Sequence, residues 1–343
     1  MKFTYIFGPV YSGRLGHSLG LDLLGKRICS MDCLYCEVGK TEELTLTRKP
    51  YVPAKDLLDE LRQWRDEHCD NLPDYVTLGG SGEPCLNSEL DIIIKGCKQI
   101  LPSVPVAVLT NSTLLCDSEV QEALMEADAV LPSLDSLVDK EFTKLNRPCG
   151  GVIVAQLAEC LVQFSKKYSG KIFLEILLSQ GINDSQENLT LLKEYVTKLQ
   201  PHRVDVTTLS RPGAFSLAKA VDPDVRKVWQ NALSECITRF DANGSASPQH
   251  ASQKNAPPAT VLQSATGEFA DLPEQNWSAV KQCVLESLKR RPQTPSQLAI
   301  ALTLPLSNVQ RALDTLEHEG DIYKSEPDRT AALNTDEPFY SCQ

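Results

Sequence analysis

Six short apolar runs alternate along the chain with longer stretches in which apolar residues recur every three or four positions. The runs predict strands over 18–24, 75–79, 104–110, 129–134, 171–178 and 203–209. The helical spacing predicts helices over 54–65, 90–100, 119–126, 140–145, 151–167 and 185–199. Strands and helices alternating in this way read as a parallel sheet of βα units. Upstream, 7–16 is punctuated by Gly8, Pro9, Gly13 and Gly16 and reads as a loop. It is no phosphate loop, since no Gly-Lys-Ser/Thr follows it.

The alternation stops near 240. Residues 241–276 are polar and rich in Pro, Ser and Ala, and read as a flexible linker. From 277 to 343 a second unit begins. Val280, Val284, Leu285 and Leu288 mark one helix. Thr294 caps another, with Pro295 inside its start. Ser307 is read as the cap of a third, with Val309, Leu313 and Leu316 inward and Gly320 at its end. Residues 321–324 and 338–340 can pair as a small wing. Three helices and a wing resemble a winged-helix domain, a fold that serves DNA readers and docking modules alike. From Trp277 onward there are seven basic and nine acidic residues, whereas a DNA reader carries a basic footprint. A protein- or substrate-docking module is the reading taken. The division predicts that 1–240 is the complete catalytic unit and that 277–343 only recruits.

At 343 residues two domains are natural, and 42% apolar content allows a sizeable core. The net charge of −11 argues against broad capture of a nucleic-acid backbone. The 12 cysteines are scattered in a chain too long for a small disulfide scaffold. No secretory leader or membrane-length apolar run is visible, so a reducing cytoplasm is the expected compartment. Cys69, Cys97, Cys160, Cys236, Cys283 and Cys342 show no ligand spacing and are expected as ordinary thiols. Whether Cys85, Cys116 and Cys149 make a second metal site is open.

Cys29, Cys33 and Cys36 stand apart, at spacing C-x3-C-x2-C. Thiolates are soft ligands for iron or zinc. A loop this short supplies three, whereas a cubane iron–sulfur cluster normally takes four; three leave one iron open. The competing reading is a zinc site completed by a distant residue such as His17 or Cys69. Downstream, 79–84 reads Gly-Gly-Ser-Gly-Glu-Pro, where glycines allow close approach of backbone or ligand. The cysteine loop, this segment, Asn111, Ser133, Asp135 and Asn183 all follow expected strands, which is where sites gather in βα barrels.

The cysteine spacing with Tyr35, and the glycine-rich segment ending in Glu83, resemble the signatures of the radical S-adenosylmethionine (SAM) superfamily. The opening at 8–16 and the stretches at 133–136 and 142–148 resemble its wyosine-synthase-like branch, which includes tRNA-modifying enzymes. Those tRNA enzymes carry three further cysteines upstream of the signature; residues 1–28 contain none. The resemblance covers roughly 6–215. It implies a partial (βα)6 TIM-type barrel, followed here by the small α+β winged-helix-like unit. It implies one [4Fe-4S] cluster on Cys29, Cys33 and Cys36, with SAM chelating the open iron. One electron would then cleave SAM to a 5′-deoxyadenosyl radical that abstracts hydrogen from a substrate. By the same resemblance Tyr35 covers the cluster edge, Gly80, Gly82 and Glu83 hold the SAM amino end, and Asn111, Ser133 and Asp135 meet its ribose or carboxylate. A flavodoxin- or ferredoxin-class reductant is implied as partner, and the substrate is RNA, with tRNA as the branch's example, or protein. The alternative is a non-catalytic iron–sulfur or zinc redox regulator whose winged helix binds DNA.

Overall fold

The computed structural model describes residues 3–69, 72–237, 239–240, 246–247, 274–290, 292–302, 304–325 and 337–342. A hairpin opens the chain. Strand β1 (Ile6–Ser12) lies antiparallel on β2 (Gly16–Asp22). This corrects the loop expected over 7–16. Proline lacks an N–H, but an edge strand or a bulge tolerates it. β1 is such an edge, and its register shifts between Phe7 and Val10, on either side of Pro9.

β2 begins a parallel run with β3 (Tyr75–Gly79), β4 (Val106–Thr110), β5 (Ala129–Pro132), β6 (Lys171–Leu178) and β7 (Arg203–Thr208). The sheet order is sequential from β1 to β7. The crossovers carry α1 (Ala54–Glu67), α2 (Leu90–Ile100), α3 (Ser118–Leu124), α4 (Asp139–Asn146), α5 (Val154–Ser165) and α6 (Gln186–Leu199). After β7 comes α7 (Pro223–Ser234), which the sequence reading left unassigned. Its signal was present: Asp222 caps it, accepting from the N–H of Asp224 at 2.8 Å, and Pro223 opens it.

Strand alternation sorts side chains to two faces. Leu19, Leu21, Val76, Leu78, Val106, Val108, Ile172, Leu174, Val204 and Val206 meet the helices in the main core. The opposite residues Ala107, Ala129, Leu131 and Phe173 form a smaller cluster with Leu15 from the β1–β2 turn. The β1–β2 turn thus shares this inner cluster with β4, β5 and β6, so the sheet curls around it.

Arg14 of the same turn ion-pairs with Glu175, whose side chain is 14% exposed. Burial pushes the Glu175 carboxyl up to about 7, with Arg14 opposing and Asp205 adding to the rise. A carboxyl whose folded pKa exceeds its unfolded value, about 4.3, stabilises fully below that value and loses the contribution as pH rises through 7. Glu175→Gln is expected to flatten this fall, by about 3 kcal/mol between pH 4 and 8. Urea unfolding across that range checks it; an unchanged profile would mean that Arg14 fully compensates the buried charge.

The C-terminal unit has α8 (Glu274–Arg290), α9 (Pro295–Leu302) and α10 (Leu306–Glu319), with β8 (Ile322–Ser325) antiparallel to β9 (Phe339–Cys342). Val284, Leu288, Leu298, Val309, Leu313, Leu316 and Tyr340 form its own core. Thr294 caps α9 as expected, its hydroxyl accepting from the N–H of Gln297. Gly320 ends α10 at φ +80°. Ser307 is not the cap of α10, which starts at Leu306 after Pro305 without a side-chain cap. Proline's fixed φ sets that entry. The linker expected over 241–276 lies outside the described residues, apart from 246–247 and 274–276. Among the described residues no helix is long and apolar enough to cross a membrane.

Candidate functional site

The cysteine loop leaves the C-terminal end of β2. Asp22, the last residue of that strand, turns the chain by accepting N–H bonds from Leu24 and Gly25. The same oxygen accepts from the N–H of Ser81, joining the loop to the segment after β3. Gly80 lies against Asp22 at φ +111°, a region that disfavours other residues. Farther on, the Glu83 N–H donates to the Ile28 carbonyl at 3.2 Å. A Cβ at Gly82 would stand 1.8 Å from that oxygen, so only glycine fits.

Glu83 is 2% exposed. Its carboxylate accepts from the Cys85 N–H at 3.0 Å, the Thr110 hydroxyl at 2.8 Å and the Asn111 N–H at 2.6 Å. Burial raises its pKa and these donors oppose the rise. The side chain therefore locks the segment after β3 to the end of β4.

Cys29, Cys33 and Cys36 are free, half-buried thiols. Burial pushes Cys29 up to about 12, helped by the Glu83 charge. Burial raises Cys33 well above its usual value, with Cys29 and Asp135 adding, and burial also raises Cys36. Such thiols hold their protons until a metal displaces them. Two amides point at sulfur: Asn111 Nδ2 lies 3.4 Å from Cys29 Sγ, and Asn146 Nδ2 lies 3.6 Å from Cys33 Sγ. N–H donors at a metal-binding sulfur offset thiolate charge and tune an iron–sulfur centre.

Asp135, 2% exposed, ties the loop to the sheet. Its Oδ2 accepts from the Tyr35 hydroxyl at 2.5 Å and from Asn146 Nδ2 at 2.6 Å, and its Oδ1 from the Leu177 N–H at 2.8 Å. Burial raises its pKa, against these hydrogen bonds. Its carbonyl accepts from Asn183 and Asn188. Asn146 Oδ1, beside the loop, is buried without a hydrogen-bond partner. Ser133 joins only through its backbone, donating to the Thr110 carbonyl and accepting from the Ser112 hydroxyl.

The sequence-expected residues thus meet at one end of the sheet, and two roles take a different form. Asn111 and Asp135 spend their side chains on the cysteine loop. Asn146, present in the sequence reading only within the 142–148 resemblance and given no role, is the missed member. Its place one turn from Phe142, on the apolar face of α4, was the available signal.

Three soft thiols on one loop, two amide donors aimed at sulfur and an orphaned acceptor nearby fit an iron–sulfur cluster. The zinc reading does not gather. His17 is the second residue of β2, five residues or about 16 Å of strand before Asp22, and Cys69 is exposed beyond the end of α1. Among the described residues no three Cys, His, Asp or Glu side chains converge as a single-ion site does, whereas a cubane takes each thiolate on a different iron.

Cys116 is disulfide-bonded to Cys160, joining the loop before α3 to α5. This corrects the thiol expected at Cys160 and removes Cys116 from any second metal site. Cys85 is buried, with its thiol on the Thr110 hydroxyl. Cys149 lies beside the cysteine loop, its N–H on the Ser30 carbonyl at 2.8 Å.

The Radical SAM superfamily model matches residues 25–192. A UPF0026 protein of Helicobacter pylori is 33% identical over 223 residues, covering 65% of this chain and 71% of that protein. A protein named GTPase Obg, of Brachyspira hyodysenteriae, is 30% identical over 323 residues, 94% of this chain. This chain spans only 44% of that relative's length. Among solved structures, SuiB of Streptococcus suis bound to S-adenosylmethionine matches at 20% identity and a TM-score of 0.47, over 61% of this chain and 45% of that one.

Proposed function

Since the chain belongs to the UPF0026 family and to the radical SAM superfamily of enzymes, which work with a [4Fe-4S] cluster and SAM, we propose that it is a SAM-cleaving enzyme acting on a macromolecular substrate. The observation that carries this is the cysteine loop itself, with amides on two of its sulfurs and a carboxylate anchoring its tyrosine. Cys29, Cys33 and Cys36 would hold three irons of the cluster. When bound, the cluster supplies the electron that cleaves SAM to a hydrogen-abstracting radical.

The chain's own residues do the rest. Gly80 and Gly82 let the segment close on Asp22 and Ile28, which shapes the backbone that would hold the SAM amino end. Glu83 acts on that end through the cradle it locks, its carboxylate being taken up by protein donors. Asn111 holds the Cys29 side of the loop, and Asp135 fixes the Tyr35 hydroxyl, so that Tyr35 covers the cluster edge. Ser133 faces the SAM ribose or carboxylate.

For the substrate, RNA is the first class to test, on the resemblance of 8–16 and 133–148 to the wyosine-synthase-like branch. A flavodoxin- or ferredoxin-class donor supplies the electron. The C-terminal unit, read as a winged helix, docks protein or substrate rather than DNA. A reducing cytoplasm suits the free thiols of the loop. The non-catalytic regulator gains no support from the family match.

The test is anaerobic incubation with SAM, a reductant and either total cell RNA or total protein, followed by mass analysis of both fractions. A SAM-dependent mass change confined to RNA is expected. A change confined to protein would move the substrate class, and no change in either would remove the macromolecular substrate.

A further inference from the structure

The sheet has two edges, β1 and β7, which do not pair with each other among the described residues. Helix α9 of the C-terminal unit packs against β1. From the same helix, Gln297 Oε1 accepts a hydrogen bond from Arg211 Nε at 3.2 Å, and Arg211 stands three residues beyond β7. One helix of the second unit thus touches one edge of the sheet and the chain leaving the other.

The contact is built on both sides. Gln297 sits in a reciprocal cap: its N–H donates to the Thr294 hydroxyl, and its Oε1 accepts from the Thr294 N–H at 3.2 Å. The oxygen that meets Arg211 is therefore held in place by the start of its own helix. Arg211, with its side chain 14% exposed, pairs its Nη1 with Glu37 at 3.3 Å. The Ser210 hydroxyl donates to the same carboxylate at 3.4 Å. Glu37 directly follows Cys36. The segment that carries Arg211 also runs along the cysteine loop: the Phe215 N–H donates to the Leu34 carbonyl at 3.1 Å. A Cβ on Gly213 would stand 2.8 Å from that same carbonyl.

We propose that the C-terminal unit is a fixed wall of the catalytic sheet rather than a tethered recruiter, and that Arg211 is the positioning residue that latches it to the cysteine loop. The guanidinium fork serves both partners at once, Nε on Gln297 and Nη1 on Glu37, which a point charge cannot reproduce. The latch fixes the position of Cys36. The functional consequence rests on the reading of that loop as the cluster loop; the latch itself does not.

The test uses the full-length chain with Arg211→Ala, Arg211→Lys, Gln297→Ala and the double variant Arg211→Ala/Gln297→Ala. Hydrogen exchange of the loop amides 34–39 is followed in the apoprotein, and iron release to a chelator in the reconstituted protein. Arg211→Ala and Gln297→Ala are each expected to speed loop exchange about tenfold, the factor that one charge-assisted hydrogen bond is worth. Exchange in β4 and β5 should stay unchanged, which a general loss of stability would not allow. The double variant should match Arg211→Ala, and Arg211→Lys should recover only part of the loss. Iron release should quicken in the same order. If Arg211→Ala does not fold, Gln297→Ala carries the test, since it leaves Arg211 paired with Glu37 and removes only the bonds of the Gln297 amide to Arg211 and to the Thr294 N–H. Unchanged loop exchange in folded Gln297→Ala overturns the latch. If the protein binds no cluster at all, the functional reading fails, and the apoprotein exchange still decides the latch.

Discussion

Cys29→Ala, Cys33→Ala and Cys36→Ala should each leave a folded protein that holds no stable cluster and makes no 5′-deoxyadenosine above background. The wild-type chain, reconstituted without oxygen, should carry about four irons, as one cubane does. The three sulfurs are not equivalent in the fold. Cys29 has an amide donor from just after β4 and Cys33 one from the last residue of α4, whereas Cys36 neighbours Glu37 in the latch. A residual cluster on two thiolates is nonetheless not expected, because losing one leaves two irons of the cubane open. Cys85→Ala and Cys97→Ala are the controls. Both thiols are buried, Cys85 on the Thr110 hydroxyl and Cys97 within α2, so iron content should hold while stability falls slightly. Iron and sulfide analysis of the five variants decides this. Full iron in any loop variant would show that the cluster is held elsewhere.

The second large effect is expected at Asp135. Its carboxylate satisfies the Tyr35 hydroxyl, the Asn146 amide and the Leu177 N–H. Asp135→Ala takes the acceptor from all three and leaves the Asn146 amide only its longer contacts to Cys33 Sγ and the Tyr35 hydroxyl, which should cost about 3 kcal/mol or more. Asp135→Asn keeps the shape but only one acceptor oxygen, and should cost about half as much. Tyr35→Phe removes one donor and leaves two satisfied, so about 1 kcal/mol is expected. The order Ala, Asn, then Phe at Tyr35, read as thermal midpoints of the apoprotein, tests whether this carboxylate anchors the loop. The Ala variant matching Tyr35→Phe would show that Asp135 serves a ligand instead of the fold.

The sheet was legible because buried parallel strands are short apolar runs, as in 171–178, and their helices show apolar spacing, as in 54–65. The cysteine loop was legible because three cysteines lie within eight residues. What failed was long-range or locally disguised. Pro9 hid an edge strand that needs few donors. Ser307 looked like a cap, but Pro305 already sets the entry to α10. The Cys116–Cys160 pair is 44 residues apart, a distance that spacing does not bridge. Asp135 and Asn111 were expected after their strands, but their hydrogen-bond partners depend on which way each side chain turns there. Arg211 carries no signal beyond its place after the strand expected over 203–209. Its partners, Glu37 and Gln297, lie on elements that only folding brings together.

The most direct measurement is made on the full-length reconstituted protein, reduced with dithionite in the presence of SAM, with methionine and 5′-deoxyadenosine quantified together. The expected result is equal amounts of both products, appearing only when cluster and reductant are present and absent in Cys33→Ala. A protein that holds a reducible four-iron cluster and binds SAM, yet yields neither product, would contradict the account.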